Sequence, residues 1–124
     1  CIMFDLNNLK KANDTLGHSV GDQLILNFAR LLRNAVPSND FVGRYGGDEF
    51  IAVIYNTTKD KVIDILRQLD KEISEFNELG KAFKISYAHG CAFSSDYENC
   101  TLRTLFDKAD KNMYNNKQAE KAGR

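Results

Sequence analysis

The seven residues Arg44-Tyr45-Gly46-Gly47-Asp48-Glu49-Phe50 constrain this chain more than any other stretch. They stand between Asp40-Phe41-Val42 and Ile51-Ala52-Val53-Ile54, flanks that are mostly β-branched or aromatic, so the segment reads as two strands joined by a hairpin. The Gly-Gly pair suits a tight turn needing positive φ. Adjacent acids have little use in a purely structural hairpin. Glycines let a phosphate approach the backbone, and neighbouring carboxylates suit a hard cation such as Mg²⁺. The plain alternative is a solvated turn carrying incidental charge.

The rest of the chain weighs those two readings. Cys1-Ile2-Met3-Phe4-Asp5-Leu6 is a nearly continuous apolar run, as expected of a central strand covered on both faces. Asp5 breaks it. A carboxylate there costs several kcal/mol unless it is paired, hydrogen-bonded or metal-bound, so Asp5 is a candidate ligand, the alternative being a cap for the following helix. A short helix follows over 7–14, closed by Gly17. Gly21 and Asp22 open a longer helix with Leu24, Ile25, Phe28, Leu31, Leu32 and Ala35 in one stripe, which Pro37 stops.

After the hairpin, Val62, Ile65, Leu66, Leu69, Ile73 and Phe76 predict a third helix ending near Gly80. Alternation from Phe83 to Phe93 predicts a strand with one large-residue face, on which His89 is structural rather than a ligand. Thr101 caps a final helix bearing Leu102, Leu105, Phe106, Ala109 and Met113, with a polar tail from Asn115 to Arg124 that is open to fraying. The expected class is α+β: a mixed, mainly antiparallel central sheet flanked by helices, much like a ferredoxin-like or polymerase-palm fold. In such a sheet the end of the first strand and the hairpin converge, bringing Asp5 and Asp48 together.

At 124 residues the chain is one domain, 1–124, without repeat or linker. Its 17 basic and 17 acidic side chains cancel, so net charge invites neither nucleic acid nor a membrane surface. The odd number of cysteines, Cys1, Cys91 and Cys100, argues against a disulfide framework or a zinc site and fits a reducing, cytoplasmic setting. No run of about 18 apolar residues is present to span a membrane.

These residues resemble the GGDEF domain of bacterial diguanylate cyclases, whose fold is a nucleotidyl cyclase variant of the palm. The resemblance covers nearly the whole chain. It rests on Phe4-Asp5-Leu6 with Leu9-Lys10, on Asn13-Asp14 with Gly17-His18 and Gly21-Asp22, on Arg44 to Phe50, and on Ala109-Asp110 with Met113-Tyr114 and Lys117. It implies an enzyme that condenses two GTP into cyclic di-GMP and two pyrophosphates, by Mg²⁺-assisted (or Mn²⁺-assisted) attack of each 3′-hydroxyl on the other nucleotide's α-phosphate across a homodimer. By position it implies Asp5, the Leu6 carbonyl and Asp48 as metal ligands. Glu49 would assist 3′-hydroxyl deprotonation or complete a second metal site. Asn13 and Asp22 would read the guanine edge, while Lys10, Lys117, Gly46 and Gly47 would face the phosphates. His18 is read as fixing its loop, and Arg44 as pairing locally.

Four departures from the family's pattern carry expectations of their own. Asn7 and Leu9 stand where a second acid and an aromatic are common, which alters the local loop but removes no ligand. Gly123-Arg124 falls farther from Lys117 than usual, so Arg124 is not assigned to phosphate. The family's inhibitory product site uses Arg-x-x-Asp, whereas Pro37-Ser38-Asn39-Asp40 retains only the Asp, so no such site is expected. The usual preceding helix is absent, as in an excised fragment that acts weakly alone and relies on an upstream sensory or dimerisation domain, in a parent protein that membrane segments elsewhere would anchor.

Three rivals remain: a catalytically silent GTP-binding regulatory module, a hybrid cyclic dinucleotide synthase, and an RNA-binding module. The acidic hairpin and the lack of a basic aromatic surface disfavour the last.

Overall fold

The computed structural model describes residues 1–80 and 83–122. Strand β1 (Ile2–Leu6) leads into helices α1 (Leu9–Leu16) and α2 (His18–Ala35). The hairpin of β2 (Phe41–Arg44) and β3 (Glu49–Val53) follows, then α3 (Lys59–Asn77), β4 (Tyr87–Cys91), a short 3₁₀ turn and α4 (Leu102–Ala122). The strands form one sheet in the order β2-β3-β1-β4, and each pairing among the described residues is antiparallel.

Alternation along β1 divides the molecule into three layers. Ile2, Phe4 and Leu6 face one side, where α1, α2 and α3 enclose the larger core around Phe28, Leu32, Phe50 and Leu69. Phe28 is its hub, with ring centroids 5.9 Å from Phe4, 5.0 Å from Phe50 and 5.6 Å from Tyr87. Met3 faces the other side, where α4 contributes Ala109 and Met113 to a smaller core. Period-two geometry puts Asp5 on this second face, beneath α4.

On that face β4 presents small residues. Ala88, Gly90 and Ala92 are buried, and a Cβ built on Gly90 would stand 2.1 Å from the Met113 backbone nitrogen and 2.4 Å from the Ala109 oxygen. Helix α4 therefore lies directly on the strand backbone. Two of its asparagines, four residues apart, hold it there, Asn112 donating to the Cys91 carbonyl at 2.8 Å and Asn116 to the His89 carbonyl at 2.8 Å.

Four local expectations are corrected. Helix α2 starts at His18, so Gly21 and Asp22 lie in its first turn rather than before it. The strand expected from Phe83 begins only at Tyr87, because the Asn77 side chain claims both backbone groups of Ile85, accepting from its N–H at 2.8 Å and donating to its carbonyl at 3.0 Å. The tail expected to fray continues as α4 to Ala122, while Arg124 lies outside the described residues. Finally, Gly17 and Gly80 have positive φ, whereas Gly46 and Gly47 do not. The hairpin closes instead through Tyr45 and Gly46 N–H groups donating to the Glu49 carbonyl, at 2.8 and 3.3 Å.

Candidate functional site

The acidic residues meet where β1 and β3 run side by side. Asp5 is register partner to Glu49 on β3, and the Leu6 N–H donates to the Asp48 carbonyl at 2.8 Å. This fixes Asp48 beside Asp5, close enough to feel its charge. The two acids expected to adjoin are thus brought together, with Glu49 on the same face. Lys117 completes the group from α4, its Nζ 2.6 Å from Asp5 Oδ2.

The electrostatics are those of a site with surplus negative charge. Burial, reinforced by the charge of Asp5, raises the Asp48 carboxyl above its ordinary value, against the opposing pull of Lys117. Glu49 is raised by burial and then by Asp5, Asp110 and Asp48. Among the described residues, Asp5 Oδ1 is buried and has no hydrogen-bond partner. Such an orphaned carboxylate oxygen beside a second carboxylate fits a cation.

Among the described residues no three histidine, cysteine, aspartate or glutamate side chains form a metal cage by themselves. Asp5 and Asp48 are a pair, the number of carboxylates Mg²⁺ takes when phosphate oxygens and water complete its shell.

The turn beside the acids is rigid yet open. Arg44 pairs locally, as expected, its Nε donating to the Gly46 carbonyl at 3.0 Å and its Nη2 to the Gly47 carbonyl at 2.7 Å. Among the described residues, a Cβ added at Gly47 would meet nothing within 4 Å. Neither crowding within the chain nor a left-handed backbone calls for glycine at this position, and its lack of a side chain leaves clear space next to the carboxylates.

The α1–α2 corner carries the other candidates. Gly17, at φ 92°, turns the chain between the helices, and Asn13 comes to lie on Gly21. A Cβ at Gly21 would stand 1.7 Å from Asn13 Oδ1, an atom that is buried without a hydrogen-bond partner among the described residues. Asp22 is the next residue and borders a cleft of about 480 Å³ between α2 and β2, walled by Ile25, Ala29, Val42 and Phe50. Lys10 is exposed on α1, and His18 is exposed at the start of α2.

Pro37 and Asp40 line a separate cleft of about 550 Å³ with Tyr55 and Lys61, and none of its lining residues is an arginine. Asp40 Oδ1 there accepts from the Tyr55 N–H at 3.2 Å.

Four contributors escaped the sequence reading. Gly90 looked like one small position among several in an alternating strand. Asp110 adds to the field at Glu49 only because α4 crosses the sheet. Asn112 and Asn116 gave a legible sign, two poor helix formers spaced four apart on one helical face.

The diguanylate cyclase GGDEF domain model matches residues 1–123. Signaling protein YkoW of Bacillus subtilis is 40% identical, over 95% of this chain and 15% of its own length. Diguanylate cyclase DgcS of Shewanella oneidensis is 30% identical, over 99% of this chain and 39% of its own. The chain thus spans well under half of either relative. A sensory box/GGDEF family protein from Caulobacter crescentus has the same fold, with a TM-score of 0.78 at 31% identity over 95% of this chain and 77% of that one. Among the described residues no helix is long and apolar enough to cross a membrane. With this match over nearly its full length, and with the sheet and acidic hairpin that carry it, the chain belongs to the diguanylate cyclase GGDEF domain family.

Proposed function

We propose that this domain condenses two GTP molecules into cyclic di-GMP, each of two facing copies holding one nucleotide. The observation that carries the reading is the adjoining Asp5 and Asp48 pair at the open Gly-Gly turn, with a buried carboxylate oxygen still lacking a partner.

Asp5, Asp48 and the Leu6 carbonyl would hold Mg²⁺, with Mn²⁺ as a substitute. The ion supplies charge neutralisation at the α-phosphate and acidifies the attacking hydroxyl. Asn13 and Asp22 hold the guanine edge, where an amide and a carboxylate complement its donors and acceptors. Lys10 and Lys117 hold phosphate oxygens as point charges, and Gly46 and Gly47 leave room for the triphosphate. Glu49 receives the 3′-hydroxyl proton, a task suited to a carboxylate whose proton affinity is raised by burial and neighbouring acids. One copy carries half of the reacting pair, so in-line orientation depends on a second copy. A longer cytoplasmic parent protein, with a sensory or dimerising segment upstream, would control that encounter.

A fusion of the domain to a dimeric coiled coil, given GTP and Mg²⁺, tests this by chromatography. Cyclic di-GMP is expected, and its loss in Asp48→Ala. Tight GTP binding with no cyclic dinucleotide would support a regulatory GTP-binding module, and a mixed dinucleotide formed with ATP would support a hybrid synthase.

A further inference from the structure

The Lys117–Asp5 ion pair bears on how such a site would load. Lys117 reaches β1 from the other end of the chain, and Asn116 beside it is tied to the His89 carbonyl. The Asp5 side chain is only 10% exposed and that of Lys117 27%, so the pair is shielded from the water that weakens surface ion pairs. Lys117 satisfies Oδ2, while among the described residues Oδ1 has no hydrogen-bond partner and neither Asp48 nor Glu49 forms an ion pair of its own.

A divalent ion entering at Oδ1 would share one carboxylate with an ammonium. Like charges a few ångströms apart in a partly dry site repel strongly. The metal therefore binds well only when Lys117 has another anion to move to. A nucleotide triphosphate brings that anion together with the metal.

We propose that Lys117 is the resident counter-ion of Asp5, and that it makes the site reject bare divalent metal while admitting the metal–nucleotide complex. This rests on the reading of Asp5 and Asp48 as the metal pair, and gives Lys117 a second task besides holding phosphate. The same lysine would neutralise Asp5 before loading and the triphosphate after it.

The test is nucleotide-free Mn²⁺ binding, read from the electron paramagnetic resonance signal of free Mn²⁺, with the chain as it stands and with Lys117→Met. Bare Mn²⁺ should bind about tenfold more tightly to Lys117→Met, while Mn²⁺–GTP should bind about tenfold more weakly. Lys117→Gln, which keeps a hydrogen bond to Asp5 without the charge, serves the same test should the methionine variant not fold. Lys111→Met removes an exposed charge from the same helix and should change bare-metal affinity by less than about twofold. Bare-metal affinity unchanged in both Lys117 variants, or raised equally by Lys111→Met, overturns the proposal while leaving the metal pair standing. Binding gained in Lys117→Met that survives the added Asp48→Asn change would place the ion elsewhere and overturn the metal-pair reading itself.

Discussion

Gly90 on β4 lies against the backbone of Met113 on α4, where a Cβ would come within 2.1 Å of the Met113 nitrogen. Backbone cannot swing aside as a side chain can, so this approach sets how closely α4 packs and where Lys117 meets Asp5. Gly90→Ala is expected to cost about 2–4 kcal/mol through overpacking and displacement of α4. Chemical denaturation measures the loss, and metal–nucleotide binding should weaken with it.

Gly21 has the opposite character. The atom its Cβ would strike is Asn13 Oδ1, the free end of a flexible side chain, and alanine is the better helix former by about 1 kcal/mol. Gly21→Ala should therefore leave the melting temperature within a few degrees of the parent while turning the Asn13 amide away. Guanine-nucleotide affinity is expected to fall roughly fivefold, close to the effect of Asn13→Ala, since one lost neutral hydrogen bond is worth about 1 kcal/mol. Equilibrium titration with a fluorescent GTP analogue measures both.

The raised carboxyls give the metal-free protein a pH signature. Asp48 and Glu49 hold protons more tightly folded than unfolded. Each contributes stability that is fully present below the ordinary carboxylate pKa and is lost as pH rises through the raised value. Asp48→Asn removes one such loss, so the variant should melt higher than the parent at neutral pH, with the gap closing on acidification. Solvent screening at this half-open site keeps the gain below about 1 kcal/mol. Thermal melts in chelator across that pH range measure the gap.

Phe28 touches Phe4, Phe50 and Tyr87, so it joins β1, β3 and β4 to α2. Phe28→Ala should cost about 3–5 kcal/mol, measured by denaturant unfolding.

The hairpin and the helical stripes were legible because each rests on a local pattern that tertiary structure reinforces, and the Asp5–Asp48 pairing followed from the sheet those patterns imply. Where the reading failed, a long-range partner decided. Asn77 takes the backbone of Ile85 out of the ladder, which no alternation from Phe83 to Phe93 could reveal. The polar tail reads as loose in isolation, yet Asn116 and Lys117 anchor it through His89 and Asp5. Lys117 itself was read as a phosphate contact, and its pairing with Asp5 depends on where α4 crosses the sheet.

The central claim is that each chain supplies half of a cyclase, and the initial rate of cyclic di-GMP formation by the unfused domain, followed against its concentration at saturating Mg²⁺–GTP, tests it most directly. At low concentration the rate should rise with the square of the amount of protein, while a coiled-coil fusion should show first-order dependence and a higher rate per chain. A first-order rate in the unfused domain, or no product from either form at any concentration, would contradict it.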